Sequence, residues 1–188
     1  MTLFQEKGFQ KVKGFIPSFF SLYLRNYFTL ITQNGITLSG DSQAPNSHCV
    51  YGDPAFDMVL AMSTEDIGKI VGKKLTPQYS YARIYKNGSV LERHDDRPEC
   101  QYSVTLCLGG EYEKPWPIWI EDYDGKSHEV PLDVGDMLVY SGCELAHWRE
   151  KFEGNTQYQL FLHYVDVEGE YKDRVFDGRS NLGLGLKR

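Results

Sequence analysis

Residues 80–96 read Ser80-Tyr-Ala-Arg83-Ile-Tyr85-Lys-Asn87-Gly88-Ser-Val-Leu-Glu-Arg93-His94-Asp95-Asp96. The run from Ser80 to Tyr85 reads as a strand, Asn87-Gly88 as the turn that reverses the chain, and Arg93 to Asp96 as part of the return. Alternate side chains of an extended backbone share a face, so His94 and Asp96 point one way and Asp95 the other. One imidazole nitrogen and one carboxylate oxygen can then reach a common metal ion.

A third donor has to come from a distant strand. His147 lies 51 residues after Asp96, in Gly142-Cys-Glu-Leu-Ala-His147-Trp-Arg149. Two histidines and a carboxylate on one side of an octahedron leave three positions open, the pattern of non-haem Fe(II) oxygenases. A chelating 2-oxo acid would take two and O2 the third. Zinc prefers a tetrahedral environment with one open position and fits this set less well.

Upstream, Ser18 followed by Phe19, Phe20, Leu22, Tyr23, Tyr27, Leu30 and Ile31, with Gly35 beyond, predicts a helix with Ser18 as N-cap. Asp53-Pro54 predicts a second helix, and Ser63-x-x-Asp66 a capping box opening a third that ends near Lys73. From Pro77 on, short β-branched and aromatic runs alternate with Gly109-Gly110, Asp124-Gly125 and Gly135-Asp136. This texture predicts antiparallel strands closed as a jelly-roll. The expected fold is therefore mainly β with N-terminal helices, an α+β arrangement. The expected organisation is one domain over 1–188: helical support at about 15–74, a double-stranded β-helix core at about 77–167, and a tail at 168–188. The polar stretch from Ser39 to Ser47 reads as a mobile loop, and the terminal Gly-Leu-Gly-Leu-Lys-Arg as a flexible end.

A net charge of −6 leaves no positive field to gather polyanions, so nucleic acid is a disfavoured partner. Cys49, Cys100, Cys107 and Cys143 form no CxxC pair and read as reduced thiols, which points to a cytoplasmic setting. Lys7, Lys11 and Lys13 before the apolar run Phe15–Leu24 imitate a signal peptide, but Arg25 interrupts and no small-x-small cleavage site follows. With no stretch of about 20 apolar residues, no membrane span is expected.

The segment from about Pro77 to Asp166 resembles the prolyl 4-hydroxylase-like branch of the Fe(II)/2-oxoglutarate dioxygenases. The resemblance rests on Tyr85, Gly88, His94 and Asp96 at that family's spacing, on Ser103-Val-Thr105-Leu as the next core strand, and on Val134-Gly135-Asp136-Met-Leu-Val-Tyr140 leading to the distal histidine. It implies Fe(II), 2-oxoglutarate and O2 as cofactor and co-substrates, with His94, Asp96 and His147 as metal ligands. It also implies a Tyr85 hydroxyl that hydrogen-bonds the distal carboxylate of 2-oxoglutarate.

Here the chain departs from the family. A Lys or Arg usually follows the distal histidine by nine or ten residues, where this sequence has Thr156 and Gln157. A buried dianion needs a cation or several donors. Arg149, on the face of His147 and able to bind a carboxylate with both ends of its fork, is the first choice. Arg83 is the second and Arg97 the third, with Gln159 as a neutral donor. Trp116 and Trp119 read as core more than as a substrate mouth. His163 and Tyr164 read as core or as support for the ligands, and nothing is assigned to His48 or His128.

The expected activity is hydroxylation of a C–H bond, with 2-oxoglutarate converted to succinate and CO2. A prolyl or other peptide substrate leads. A free amino acid or small metabolite is the alternative, and a catalytically silent metal-binding jelly-roll is a further one. Asp96 argues against a halogenase, where the carboxylate position is vacated for halide.

Overall fold

The computed structural model describes residues 2–184. Its elements run α1 (Leu3–Lys7), β1 (Phe9–Val12), α2 (Ser18–Gln33), β2 (Leu38–Ser39), β3 (Ser47–Tyr51), α3 (Pro54–Val71), β4 (Leu75–Lys86) and β5 (Leu91–His94). After a 3-10 turn at Pro98–Cys100 come β6 (Tyr102–Glu111), β7 (Ile118–Glu121), β8 (Ser127–Val130), β9 (Met137–Ser141), β10 (His147–Arg149) and β11 (Thr156–Asp166).

Two antiparallel sheets face each other as a jelly-roll. The larger has the order β1-β9-β6-β11-β4-β3-β2 and the smaller β5-β10-β7-β8. Strand alternation divides the large sheet between two layers. Ala82, Ile84, Val104, Leu106, Leu160 and Leu162 pack outward against Leu24, Phe28, Phe56, Leu60 and Ile67 of α2 and α3. Between the sheets, Cys107, Leu138 and Tyr140 meet Ile118 and Ile120. At about 1.5–3 kcal/mol per buried Leu, Ile or Phe, the outer layer outweighs any single polar contact. The fold therefore tolerates polar side chains on its inner face.

Several local expectations are corrected. Pro17, not Ser18, is the N-cap of α2, and Ser18 is its first residue. Ser63 opens no third helix. It lies inside α3, which runs unbroken from the Asp53 cap, whose carboxylate accepts from the Ala55 and Phe56 N–H groups, to the left-handed Gly72. No breaker stands between Ala61 and Asp66, so Ser63 faces the interior instead of capping. Two short strands, β2 and β3, fall within the span expected as helical support, a third, β1, precedes it, and each is held by pairing with a neighbour.

The polar stretch at 39–47 is pinned: Ala44 is buried, and Asp41 accepts from Tyr81 and pairs with Arg83. Nor does the chain run free after β11. Arg179 pairs with buried Asp57 at 2.8 Å, the Gly183 N–H donates to the same carboxylate, and Asp177 pairs with Arg97. Residues 185–188 of the expected flexible end lie outside the described residues. Among the described residues no helix is long and apolar enough to cross a membrane.

Candidate metal centre and its cavity

His94 ends β5 and His147 begins β10, and the antiparallel register sets them directly opposite each other. Their ring centroids are 4.4 Å apart. Asp96 follows two residues later, its backbone N–H held by the Gly142 carbonyl at 2.9 Å. Its Oδ1 lies 3.8 Å from His94 Nε2 and 3.6 Å from His147 Nε2. One ligand atom from each of the three residues falls within 4.8 Å of the others.

The ring nitrogens are already sorted. Nδ1 of His94 meets the Glu92 carbonyl at 2.7 Å and Nδ1 of His147 the Leu145 carbonyl at 2.9 Å. A carbonyl only accepts, so each ring carries its proton on Nδ1 and turns the Nε2 lone pair toward Asp96. Burial works against the Asp96 anion, but His147 and the Ser103 hydroxyl outweigh it and hold the carboxyl at about 2. Burial also opposes a charge on His147, yet Asp96 raises its pKa above the ordinary value. In His94, burial and the neighbouring His147 lower it. A divalent cation between the three would replace the proton that Asp96 and His147 favour sharing. The donor set of two imidazoles and one carboxylate fits Fe(II).

The three residues open onto a cavity of about 600 Å3, walled by Tyr79, Tyr81, Arg83, Tyr85 and Phe161. Tyr85 is fully buried, its ring 5.0 Å from that of Trp116. Arg149 lies over the same indole, 4.9 Å from its centroid, and its Nη1 donates to the Trp116 carbonyl at 2.6 Å. The Nε and Nη2 of Arg149 have no hydrogen-bond partner, although the residue is only 1% exposed. Among the described residues no carboxylate pairs with it, and burial lowers its pKa.

The other candidates are engaged. Arg83 donates to the Tyr85 hydroxyl at 3.0 Å and pairs with Asp41. Arg97 stands at the rim with Asp177 at 2.8 Å and over the Tyr79 ring. Gln159 donates to Thr105 at 2.7 Å and accepts from Gln157 at 3.0 Å. Trp116 packs with Tyr85 and Phe152 inside the barrel, and Trp119 stacks on Trp148, so neither lines the cavity. His48 contacts Lys86, and His128 pairs with Asp122. Tyr164 belongs to the helix-facing layer and donates to the Leu60 carbonyl.

Sequence reasoning missed Asp41 and Asp177, which lie in irregular segments without periodicity. It also missed Ser103, whose alternation with Thr105 and Cys107 could have placed it on the inner face.

The two sheets and their helical layer form the jelly-roll fold of solved Fe(II)/2-oxoglutarate oxygenases. No family model matches the chain, and no curated protein matches it. Among solved structures, a Pseudomonas putida prolyl-4-hydroxylase is similar with a TM-score of 0.71 and 17% identity, over 87% of this chain and 95% of that one. HygX from Streptomyces hygroscopicus, solved with nickel and 2-oxoglutarate bound, has a TM-score of 0.69 and 14% identity, over 88% and 85% of the two chains. The non-haem α-ketoglutarate-dependent epimerase SnoN from nogalamycin biosynthesis has a TM-score of 0.75 and 10% identity, over 98% and 90%.

Proposed function

We propose that this chain is an Fe(II)/2-oxoglutarate-dependent oxygenase that hydroxylates a C–H bond. The observation that carries the reading is the convergence of Oδ1 of Asp96 and two Nε2 lone pairs at the head of one cavity. In it, His94, Asp96 and His147 hold the iron. Arg149, a buried cation without an anion, receives the distal carboxylate of 2-oxoglutarate together with the Tyr85 hydroxyl. Arg83 and Arg97 are less suited to that task because Asp41 and Asp177 already neutralise them. Gln159, bonded to Thr105 and Gln157 and not on the cavity lining, is not a free donor. Iron with 2-oxoglutarate and O2 supplies the oxidising power, and succinate and CO2 are the co-products. The protein contributes orientation, a largely water-poor pocket and fixed protonation states.

A prolyl or other peptide substrate is the first reading, supported by the likeness to the Pseudomonas putida prolyl-4-hydroxylase. A small molecule is the second. It is favoured by Asp41 and Asp177, both on the cavity lining and each tied back to an arginine of its wall, which narrows the space left for a chain. Structures similar in fold include HygX with hygromycin B bound. The test is 2-oxoglutarate-dependent succinate release, screened against peptide and metabolite libraries. Stimulation by a substrate in the wild type, falling to background in His147→Ala, is the expected result. Equal release by that variant would remove His147 from the site, and iron binding without any release would favour a silent metal-binding jelly-roll.

A further inference from the structure

The two oxygens of Asp96 have different surroundings. Oδ1 is the atom turned toward His94 and His147. Oδ2 accepts the Ser103 hydroxyl at 2.7 Å. The same hydroxyl lies 3.0 Å from His163 Nδ1 and 3.1 Å from the Cys100 carbonyl. A serine has one proton to give, and the charged carboxylate is both the nearer acceptor and the stronger one. His163 Nδ1 must then donate to Ser103 Oγ, which fixes its tautomer. On the far side, a Cβ at Gly142 would stand 2.6 Å from Asp96 Oδ2, 2.6 Å from Ser103 Oγ and 2.3 Å from the Cys100 carbonyl. The carboxylate is thus gripped by one directed bond and by a wall that admits no side chain.

We infer that Ser103, oriented by His163, is a positioning residue that withholds Oδ2 of Asp96 from the metal and leaves Oδ1 alone to bind it. This rests on the iron reading of His94, Asp96 and His147 proposed above. The consequence is a count of open positions. A carboxylate bound through one oxygen leaves three, enough for the two arms of a 2-oxo acid and one diatomic molecule. Bound through both oxygens, it leaves two, and the diatomic molecule is excluded once the 2-oxo acid is in place.

The test uses the full chain under anaerobic conditions, with nitric oxide as the diatomic probe and its S = 3/2 iron–nitrosyl resonance as the readout. In Ser103→Ala, Fe(II) affinity is expected to fall about tenfold to a hundredfold, the range for removing a partner behind a ligand. With 2-oxoglutarate bound, the nitrosyl signal should fall at least tenfold relative to wild type. Two further variants keep the outcome decisive if Ser103→Ala does not fold. His163→Asn retains an N–H at the Nδ1 position and should match wild type, whereas His163→Leu should behave like Ser103→Ala. Wild-type affinity and full nitrosyl signal in Ser103→Ala, or in His163→Leu, would overturn the inference. Wild-type protein that binds no Fe(II) would instead overturn the underlying function.

Discussion

Arg149 is a buried cation that pairs with no carboxylate among the described residues, over the Trp116 ring that also packs on Tyr85. A charge left so would cost several kcal/mol, and its retention makes sense if an anionic ligand completes it. In Arg149→Met, 2-oxoglutarate affinity should fall by about a hundredfold, equivalent to about 3 kcal/mol for a lost charge-assisted pair. Fe(II) affinity should stay within about twofold, since no ligand atom is touched. Without 2-oxoglutarate the variant should melt no lower than wild type, because an unpaired buried charge has been removed. Wild-type affinity for 2-oxoglutarate in a calorimetric titration would move the anchor to Arg83.

Elements differ in how much of them is visible in the chain. The helix α3 carries its own start in Asp53, which caps it and also accepts the Tyr27 hydroxyl at 2.8 Å from α2. Asp53→Ala should therefore cost about 1–2 kcal/mol in denaturant unfolding; a change under about 0.5 kcal/mol would mean the cap is idle. The strands β4 and β11 were legible because alternation persists along them: Tyr79, Tyr81, Arg83 and Tyr85 inward, Ala82 and Ile84 outward. The strands β1, at one edge of the large sheet, and β3, next to the other, are short, and their extended form comes from pairing with β9 and β4, which no local pattern announces. The same limit applies to the site. His94 and Asp96 were readable from alternation, and His147 from its distance and the family spacing. Ser103 is a small polar residue in a strand that reads as core, and Asp41 and Asp177 reach the cavity from segments whose course only tertiary contacts decide.

At the scale of the whole molecule, one buried imidazole links pH to stability. Burial pushes the His163 pKa down to about 4 from an ordinary 6.5, so between these values the unfolded chain binds the extra proton and the folded one does not. Stability of the metal-free protein should thus be complete above pH 6.5 and decline as pH falls toward 4, by up to about 3 kcal/mol from this group. His163→Asn should flatten that part of the profile; an unchanged slope would assign it to other groups. The assembly as a whole has a layer of helices steadying one sheet, while the opposed inner faces carry three donors that could hold a metal ion and a buried arginine with two unpartnered nitrogens. The most direct test is the visible spectrum of the anaerobic protein with Fe(II) and 2-oxoglutarate. A weak charge-transfer band from the chelated 2-oxo acid should appear in wild type and vanish in His94→Ala and in His147→Ala. No band in wild type, or the same band in both variants, would contradict the assignment of these side chains to iron.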